Sequence, residues 1–231
     1  MRIHDNTCSV ATGCICGAIE SVPSHKFLGL TLDSGLTFSN HIDSVCSKMR
    51  SGVAILSRMR HLCSRDMKRS VYFALVESHF RYMLSIYGGS AECRITKILR
   101  LQKKTIRLIS NSTRFAHSAP LFLDLGILDI IRLYALCLTS LFVPKLALLP
   151  KPGHEYSTRF RSAGQLSVTE VWSSRSRKML LPNFIRIYNH LPIVLRNCVE
   201  NYHVSRSDFL KRILKRHFHN VLTEDLRCIL Y

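Results

Sequence analysis

The feature that most constrains the fold is the spacing of apolar residues after Ser39. They recur at steps of three and four positions, at Ile42, Val45, Met49, Val53 and Leu56. Steps of this size place side chains on one face of an α-helix. Ser39 or Asn40 stands where a helix N-cap is expected. An amphipathic helix with a buried apolar face is therefore predicted here.

Similar patterns predict further helices along the chain. A second is expected to begin at Asp66 and to end before Gly88, and a third to span Glu92 to Ile109. The second is predicted to carry the apolar side chains Val71, Leu75, Phe80 and Tyr82. A fourth apolar stretch covers residues 121 to 149. A last helix is expected from Ser207, with Leu210, Leu214, His217 and Val221 on one face.

Residues 1 to 38 have a different pattern, in which glycine and proline separate short apolar runs such as KFLGLTLD. This pattern predicts a small β-hairpin, or the last strands of a sheet begun elsewhere. Pro150, Pro152 and Gly153 mark a boundary, and the polar residues 154 to 178 are expected to be extended or irregular. The predicted fold is mainly α, with a short N-terminal β-hairpin, a helical bundle and a mixed, loop-rich C-terminal region.

The charge balance indicates an anionic partner. The 231 residues include 33 Lys+Arg and 15 Asp+Glu, for a formal net charge of +18. Such a charge attracts nucleic acid or an anionic membrane surface, and charge alone does not choose between them. The most apolar stretch, residues 133 to 143, lies between Arg132 and Lys145. It is shorter than the roughly 20 residues that cross a bilayer, so a buried helix and no membrane partner are predicted.

The nine cysteines are scattered without paired spacing, which favours a reducing, intracellular compartment. The first ten residues have no apolar core of the kind that a signal peptide carries. Cys8, Cys14, Cys16 and His25 are a candidate zinc set by residue type, but their spacing is not that of a zinc knuckle. Buried thiols are the better interpretation, so no metal ligands are predicted.

The most specific local feature is a basic stripe on the third predicted helix. Arg100, Lys103, Lys104 and Arg107 share one helical face, and Lys97 extends it by a turn. Ile95, Leu99, Ile106 and Ile109 fall on the opposite side. Residues 58 to 114 hold 13 Lys+Arg and only three acidic residues, Asp66, Glu77 and Glu92. This pattern favours binding to a phosphate backbone over a merely solvated face.

A second basic helix face, with Lys211, Arg212, Lys215 and Arg216, is a weaker candidate for nucleic acid or membrane contact. No motif of a hydrolase, metalloprotease or phosphate-binding loop is present. No catalytic residue is therefore predicted in this chain.

Several segments together resemble the reverse transcriptases of non-LTR (LINE-type) retrotransposons, especially the jockey-like clade. Matches to the segment after the catalytic strands are Lys26, Phe27, Leu28, Gly29, Asp33, Leu36, Phe38, His41 and Ile42. Further similar segments follow in the family's order: RYMLSIYGG (81–89), LQKKTIRLIS (101–110), HSAPLFLDLGILDIIRLYAL (117–136), HEYSTR (154–159), LPIVLRN (191–197) and FLKRIL (209–214).

The resemblance implies a domain organisation and a role. Residues 1 to 38 would be the end of the polymerase palm, 39 to 115 a helical thumb, 116 to 150 a helical connection, and 151 to 231 a basic C-terminal region. Lys26, Phe27, Leu28 and Gly29 would position the primer. The stripe of Lys97, Arg100, Lys103, Lys104 and Arg107 would hold the phosphates of an RNA–DNA template–primer. Family analogy places the protein in the nucleus or cytoplasm.

The chain also departs from the family. No adjacent pair of aspartates occurs in it, whereas the family binds catalytic Mg²⁺ through such a pair upstream of the K-F-L-G segment. The expectation is a truncated RNA-directed DNA polymerase that binds nucleic acid and lacks its own cofactor and activity. Missing palm and fingers would be its partners in an intact protein. The alternatives are a stand-alone basic helical nucleic-acid-binding protein and, on charge alone, a membrane-surface protein.

Overall fold

The chain begins its described fold with a two-stranded antiparallel sheet. The computed structural model describes residues 22–149, 165–167, 176, 179–200, 207–221 and 223–231. Strand β1 (Ser24–Phe27) pairs with β2 (Leu30–Asp33), with Phe27 opposite Leu30. Leu28 (φ 46°) and Gly29 (φ 81°) form the connecting turn. Two consecutive positive φ angles define a type I′ turn, whose twist suits a hairpin. The predicted hairpin is confirmed.

The first helix, α1 (Ser39–Arg58), buries the predicted apolar residues. The predicted N-cap is wrong: Phe38 occupies that position in the left-handed region, and no side chain caps the helix there. The Asp33 carboxylate instead accepts hydrogen bonds from Thr37 N (3.0 Å), Thr37 Oγ1 (2.7 Å) and Phe38 N (2.8 Å). Partial burial opposes ionisation, but these bonds lower the pKa of Asp33. This carboxylate therefore fixes the turn between β2 and α1.

The second predicted helix is interrupted. It consists of α2 (Arg65–Tyr72), a π-helical segment (Phe73–Glu77), α3 (Ser78–Arg81) and α4 (Leu84–Tyr87). Ser64 is the N-cap, and its side chain accepts a bond from Met67 N. Tyr82 is extended and Met83 left-handed, so the chain turns sharply between α3 and α4.

Tyr82 is among the apolar side chains predicted for that helix, but it is 50% exposed. Its hydroxyl donates to Leu28 O at 2.6 Å. Because the helix stops before Tyr82, its side chain reaches the hairpin rather than the core.

Helix α5 (Glu92–Ile109) has the predicted bounds, and its predicted apolar residues are buried. It runs beside α1 in the same direction. Contacts at successive levels show this: Arg94 Nη1 donates to Thr37 O (3.0 Å), and Lys97 Nζ lies 2.8 Å from Asp43 Oδ1. Beyond both helices, Arg60 Nη2 donates to Ser112 O (3.1 Å). The exposed sides of α1 and α5 are therefore adjacent.

The apolar stretch 121 to 149 forms several elements rather than one. Helix α6 (Ser118–Leu125) ends at Gly126, whose φ of 62° stops the helix. Asp129 then caps α7 (Ile130–Phe142) by accepting bonds from Ile131 N and Arg132 N. A 3₁₀ segment (Val143–Leu148) continues it.

The continuous helical run Ile130–Leu148 is long and apolar enough, by length and composition, to cross a membrane. Half of it is buried inside the protein. Tyr134 and Leu138 are at most 1% exposed, and α7 packs against helices on several sides. Its apolar character is accounted for by this central position in the core.

Four described helices complete the fold: α8 (Leu180–His190), α9 (Ile193–Glu200), α10 (Ser207–Asn220) and α11 (Thr223–Leu230). Helices α8, α10 and α11 pack on α7. In α10, Leu214 is buried as predicted, while Phe218 is buried and His217 is only half-buried. The predicted irregular segment 154 to 178 lies mostly outside the described residues, as do residues 1 to 21.

Candidate nucleic-acid interface

The exposed side of α5 carries the centre of the predicted basic stripe. Arg100 and Lys104 are exposed, and Lys103 is half-buried. Within residues 22–149 and the described C-terminal segments, none of these three makes an ion pair. The opposite face of the same helix is core, with Ile98 and Ile106 fully buried. The helix therefore presents three cations whose charge the surrounding described residues leave uncompensated.

The two ends of the stripe differ from its centre. Lys97 forms its ion pair with Asp43 of α1, with both side chains about half exposed. Arg107 is half-buried, and its Nε donates to Ala116 O at 2.8 Å. Lys97 and Arg107 therefore have partners inside the protein, and Arg107 also holds the loop that follows α5.

A cation that sequence reasoning missed lies on the neighbouring helix. Arg50 of α1 is exposed. Arg50 and Lys97 both lie close enough to the buried Cys46 thiol to influence its pKa. Burial raises the pKa of Cys46, and both cations oppose that rise. Arg50 follows Asp43 by seven positions, so the two share a helical face. That spacing was visible in the sequence, but the alignment of α1 with α5 was not.

The four residues predicted to position a primer form the exposed end of the hairpin. All of β1 is exposed, Phe27 is 58% and Leu28 66% exposed, and Gly29 lies beside the Tyr82 ring. The left-handed backbone conformation costs a leucine about 1–2 kcal/mol. Glycine or asparagine adopts this conformation more easily. Leu28 is therefore an exposed apolar side chain on a turn whose backbone conformation is unfavourable for leucine.

Gln102, which belongs to the LQKKTIRLIS segment, is a structural residue. It is fully buried, and its Nε2 donates to the Tyr72 hydroxyl (2.7 Å) and to Leu128 O (2.9 Å). Its Oε1 accepts a bond from Ile130 N (2.9 Å). This one side chain joins α2, α5 and the connection into α7.

His41, which matched the family pattern, is also structural. It is 5% exposed, its Nδ1 lies 3.5 Å from Thr31 N, and its ring meets Tyr87 edge-on at 5.0 Å. Burial, with a smaller contribution from Lys48, lowers the pKa of His41. The residue packs the hairpin onto α1 and does not face solvent.

Glu77 is a buried acid in the π-helical segment, 4% exposed. Burial raises its pKa, against the opposing effect of Arg81, whose Nη1 lies 3.0 Å away. π-Helical turns are frequent at functional sites. Here the nearby groups are those of the Gln102 network, since Tyr72 interacts with both Glu77 and Gln102.

The described residues offer no metal centre. No group of three or more His, Cys, Asp or Glu side chains among them is close enough to hold a metal ion. Three members of the candidate zinc set, Cys8, Cys14 and Cys16, lie outside the described part of the chain.

The weaker basic candidate on α10 is also at the surface. Lys211, Arg212, Lys215 and Arg216 are exposed. This helix packs on α7.

The chain is similar to RNA-directed DNA polymerases of mobile elements. The chain is 34% identical over 107 residues to the RNA-directed DNA polymerase from mobile element jockey of Drosophila melanogaster. It is 31% identical over 115 residues to the probable RNA-directed DNA polymerase from transposon X-element of the same species. These matches cover 45% and 46% of this chain. The resemblance to reverse transcriptases of non-LTR retrotransposons is confirmed as a partial sequence similarity.

The matched regions are a small part of those relatives. They amount to 12% and 13% of the jockey and X-element proteins. No family model matches the chain, and no solved structure matches it.

Proposed function

We propose that this chain binds an RNA–DNA template–primer through the exposed side of α5, as the thumb-like part of a non-LTR retrotransposon reverse transcriptase. The observation that carries the proposal is the set of Arg100, Lys103 and Lys104, exposed or half-buried and without an ion pair among the described residues. Between Arg100 and Arg107 the helix rises about 10 Å, which spans roughly three base-pair steps of a duplex.

The proposal is one of backbone recognition. Lysine and arginine side chains at regular helical intervals contact phosphates without reading base edges. An RNA–DNA hybrid is well suited to such binding, because its groove geometry favours recognition by shape and backbone. Arg50 of α1 extends the same surface beyond the α5 stripe.

The hairpin supports a polymerase context over a stand-alone binding protein. β1 pairs only with β2 among the described residues, and its four side chains are exposed. Exposed strand edges pair readily with further strands. An outward Leu28 on a strained turn is consistent with a surface that contacts a palm domain or the primer end.

The test reverses three charges on the full chain. The variant Arg100→Glu, Lys103→Glu, Lys104→Glu is expected to bind RNA–DNA hybrid more weakly, with a flatter dependence of log Kobs on log salt. Each lost phosphate contact lowers the magnitude of that slope by about 0.9. Fluorescence anisotropy over a range of salt concentrations measures both quantities. Arg107 is left in place because its Nε holds the following loop.

The matched control carries Arg212→Glu, Lys215→Glu and Arg216→Glu on α10, which changes the net charge by the same amount. Equal weakening by both variants would attribute binding to overall charge and contradict a specific α5 interface. An unchanged slope in the α5 variant would remove those residues from the interface.

The rival of a stand-alone nucleic-acid-binding protein is tested by adding the upstream polymerase domains of a relative in trans. Hybrid binding or primer extension that depends on Leu28 in the mixture supports the polymerase context. Binding to which those domains add nothing favours the stand-alone protein.

A further inference from the structure

Two loops lie side by side at the end of the molecule where α1 and α5 stop. They comprise residues 59–64 and 110–117. Arg60 Nη2 donates to Ser112 O at 3.1 Å. The fully buried Lys68 donates to Arg60 O (3.1 Å) and to Asn111 Oδ1 (2.9 Å), so one ammonium group joins both loops. These bonds hold the pair, which we term the distal loops, in a fixed relation.

The distal loops expose two large apolar side chains. Phe115 is 89% and Leu62 is 84% exposed, among the highest values of the described residues. A single exposed apolar residue needs no explanation. These two lie on loops that hydrogen bonds hold together, so the fold sets the position of both loops.

The charge around this surface is positive. Arg58 and Arg114 are exposed on or beside the distal loops. Of the nearby acids, Asp124 is paired with Arg65, and Asp66 in the first turn of α2 is exposed. An aromatic ring among uncompensated cations matches a strand of nucleic acid, which offers flat bases and anionic phosphates together. It matches an acidic or apolar protein surface less well, since each supplies only one of those two features.

The α5 stripe leads to this ring. Arg107, the last residue of the stripe, donates its Nε to Ala116 O at 2.8 Å, directly beside Phe115 in the chain. A strand whose phosphates follow Arg100 and Lys104 toward Arg107 would therefore reach the loop that carries Phe115.

We propose that Phe115 is a stacking platform for an unpaired base at the place where the bound duplex gives way to single strand, with Leu62 as a second exposed apolar side chain on the adjoining loop. The inference rests on the proposed function, because it assigns the path of the strand from the stripe. Stacking on an aromatic ring tolerates any base, so the platform would add affinity without sequence preference.

The test uses the full chain with two RNA–DNA hybrids, one blunt and one with a short single-stranded extension carrying 2-aminopurine. Phe115→Ala is expected to weaken binding of the extended hybrid on the order of 5- to 100-fold, the range that one lost base–aromatic stack produces. Binding of the blunt hybrid and the salt slope stay unchanged, because no phosphate contact is removed. Phe115→Trp is expected to restore affinity, and the 2-aminopurine emission change at one position is lost only in Phe115→Ala.

Leu148→Ala is the matched control, because Leu148 is an apolar side chain that is 84% exposed and lies on the 3₁₀ segment, outside the distal loops. The proposal is overturned if Phe115→Ala binds the extended hybrid as wild type does, or if it weakens both hybrids equally. It is also overturned if the substitution acts by dissociating a self-associated form in sedimentation. If the wild-type chain does not bind either hybrid, the proposed function itself is rejected. Binding that responds to the α5 charges but not to Phe115 would reject the stacking platform alone.

Discussion

The two faces of α5 contain polar residues of opposite character, and neighbours in one motif fall on different faces. Gln102 is fully buried with three hydrogen bonds, whereas Lys104, two positions on, is exposed without an ion pair among the described residues. A buried polar group must be matched because leaving it unpaired costs free energy. An exposed cation has no such requirement and remains available to a ligand. Polar residues of one motif can thus serve stability on one face and binding on the other.

The largest expected effect comes from breaking the buried side. Gln102→Leu keeps the volume but leaves Leu128 O and Ile130 N unpaired. The Tyr72 hydroxyl loses one partner and keeps its interaction with Glu77. The free energy of unfolding is expected to fall by about 2–4 kcal/mol, because each unmatched buried group costs about 1–3 kcal/mol before relaxation. Urea denaturation followed by circular dichroism measures the loss.

The control for this prediction is Lys104→Leu, an equal change on the other face of α5. It is expected to alter stability by no more than about 0.5 kcal/mol while weakening hybrid binding. Similar stability losses in both variants would show that the two faces do not differ in the way described.

A smaller effect sharpens the comparison at the buried acid beside the Gln102 network. Because the pKa of Glu77 is raised in the folded state, that state binds its proton more tightly than the unfolded state does. This contribution is fully present below the ordinary value of 4.5 and is lost as pH rises through the raised folded pKa. Glu77→Gln should therefore remove one component of the fall in stability above pH 4.5. Urea midpoints of the wild-type chain and of Glu77→Gln, measured at closely spaced pH values, test this prediction. The same pH dependence of the midpoint in both proteins would contradict it.

The smallest expected effect concerns the ion pair at the edge of the stripe. Asp43→Asn releases Lys97 and is expected to change stability by less than about 1 kcal/mol, as for other exposed pairs. The freed lysine should steepen the salt dependence of hybrid binding by up to about 0.9. Asp43→Asn combined with Lys97→Gln should abolish that increase. An increase that persists in the double variant would mean that Asp43 acts through general repulsion and not by holding Lys97.

The sequence was most informative where a pattern is repeated locally. The bounds of α5 and the buried side of α1 followed from spacing, because side-chain direction repeats with a fixed period in helices. The hairpin followed from short apolar runs that glycine and proline separate. The second helix was predicted less well. No proline or glycine stands at Tyr82 and Met83, where the helix breaks, so the sequence does not predict the break. The contact of Tyr82 with Leu28, 54 positions away, accompanies that break.

The sequence by itself determined that this chain is mainly helical, strongly basic and similar in its motifs to the reverse transcriptases of non-LTR elements. Only the tertiary structure decided which polar residues of those motifs face inward and which cations keep their charge uncompensated. Lys97 meets Asp43 across 54 positions, and Gln102 meets Ile130 across 28. Helical periodicity fixes the direction of a side chain on its own element. The partner that it meets depends on how distant elements pack, so it appears only in the folded protein.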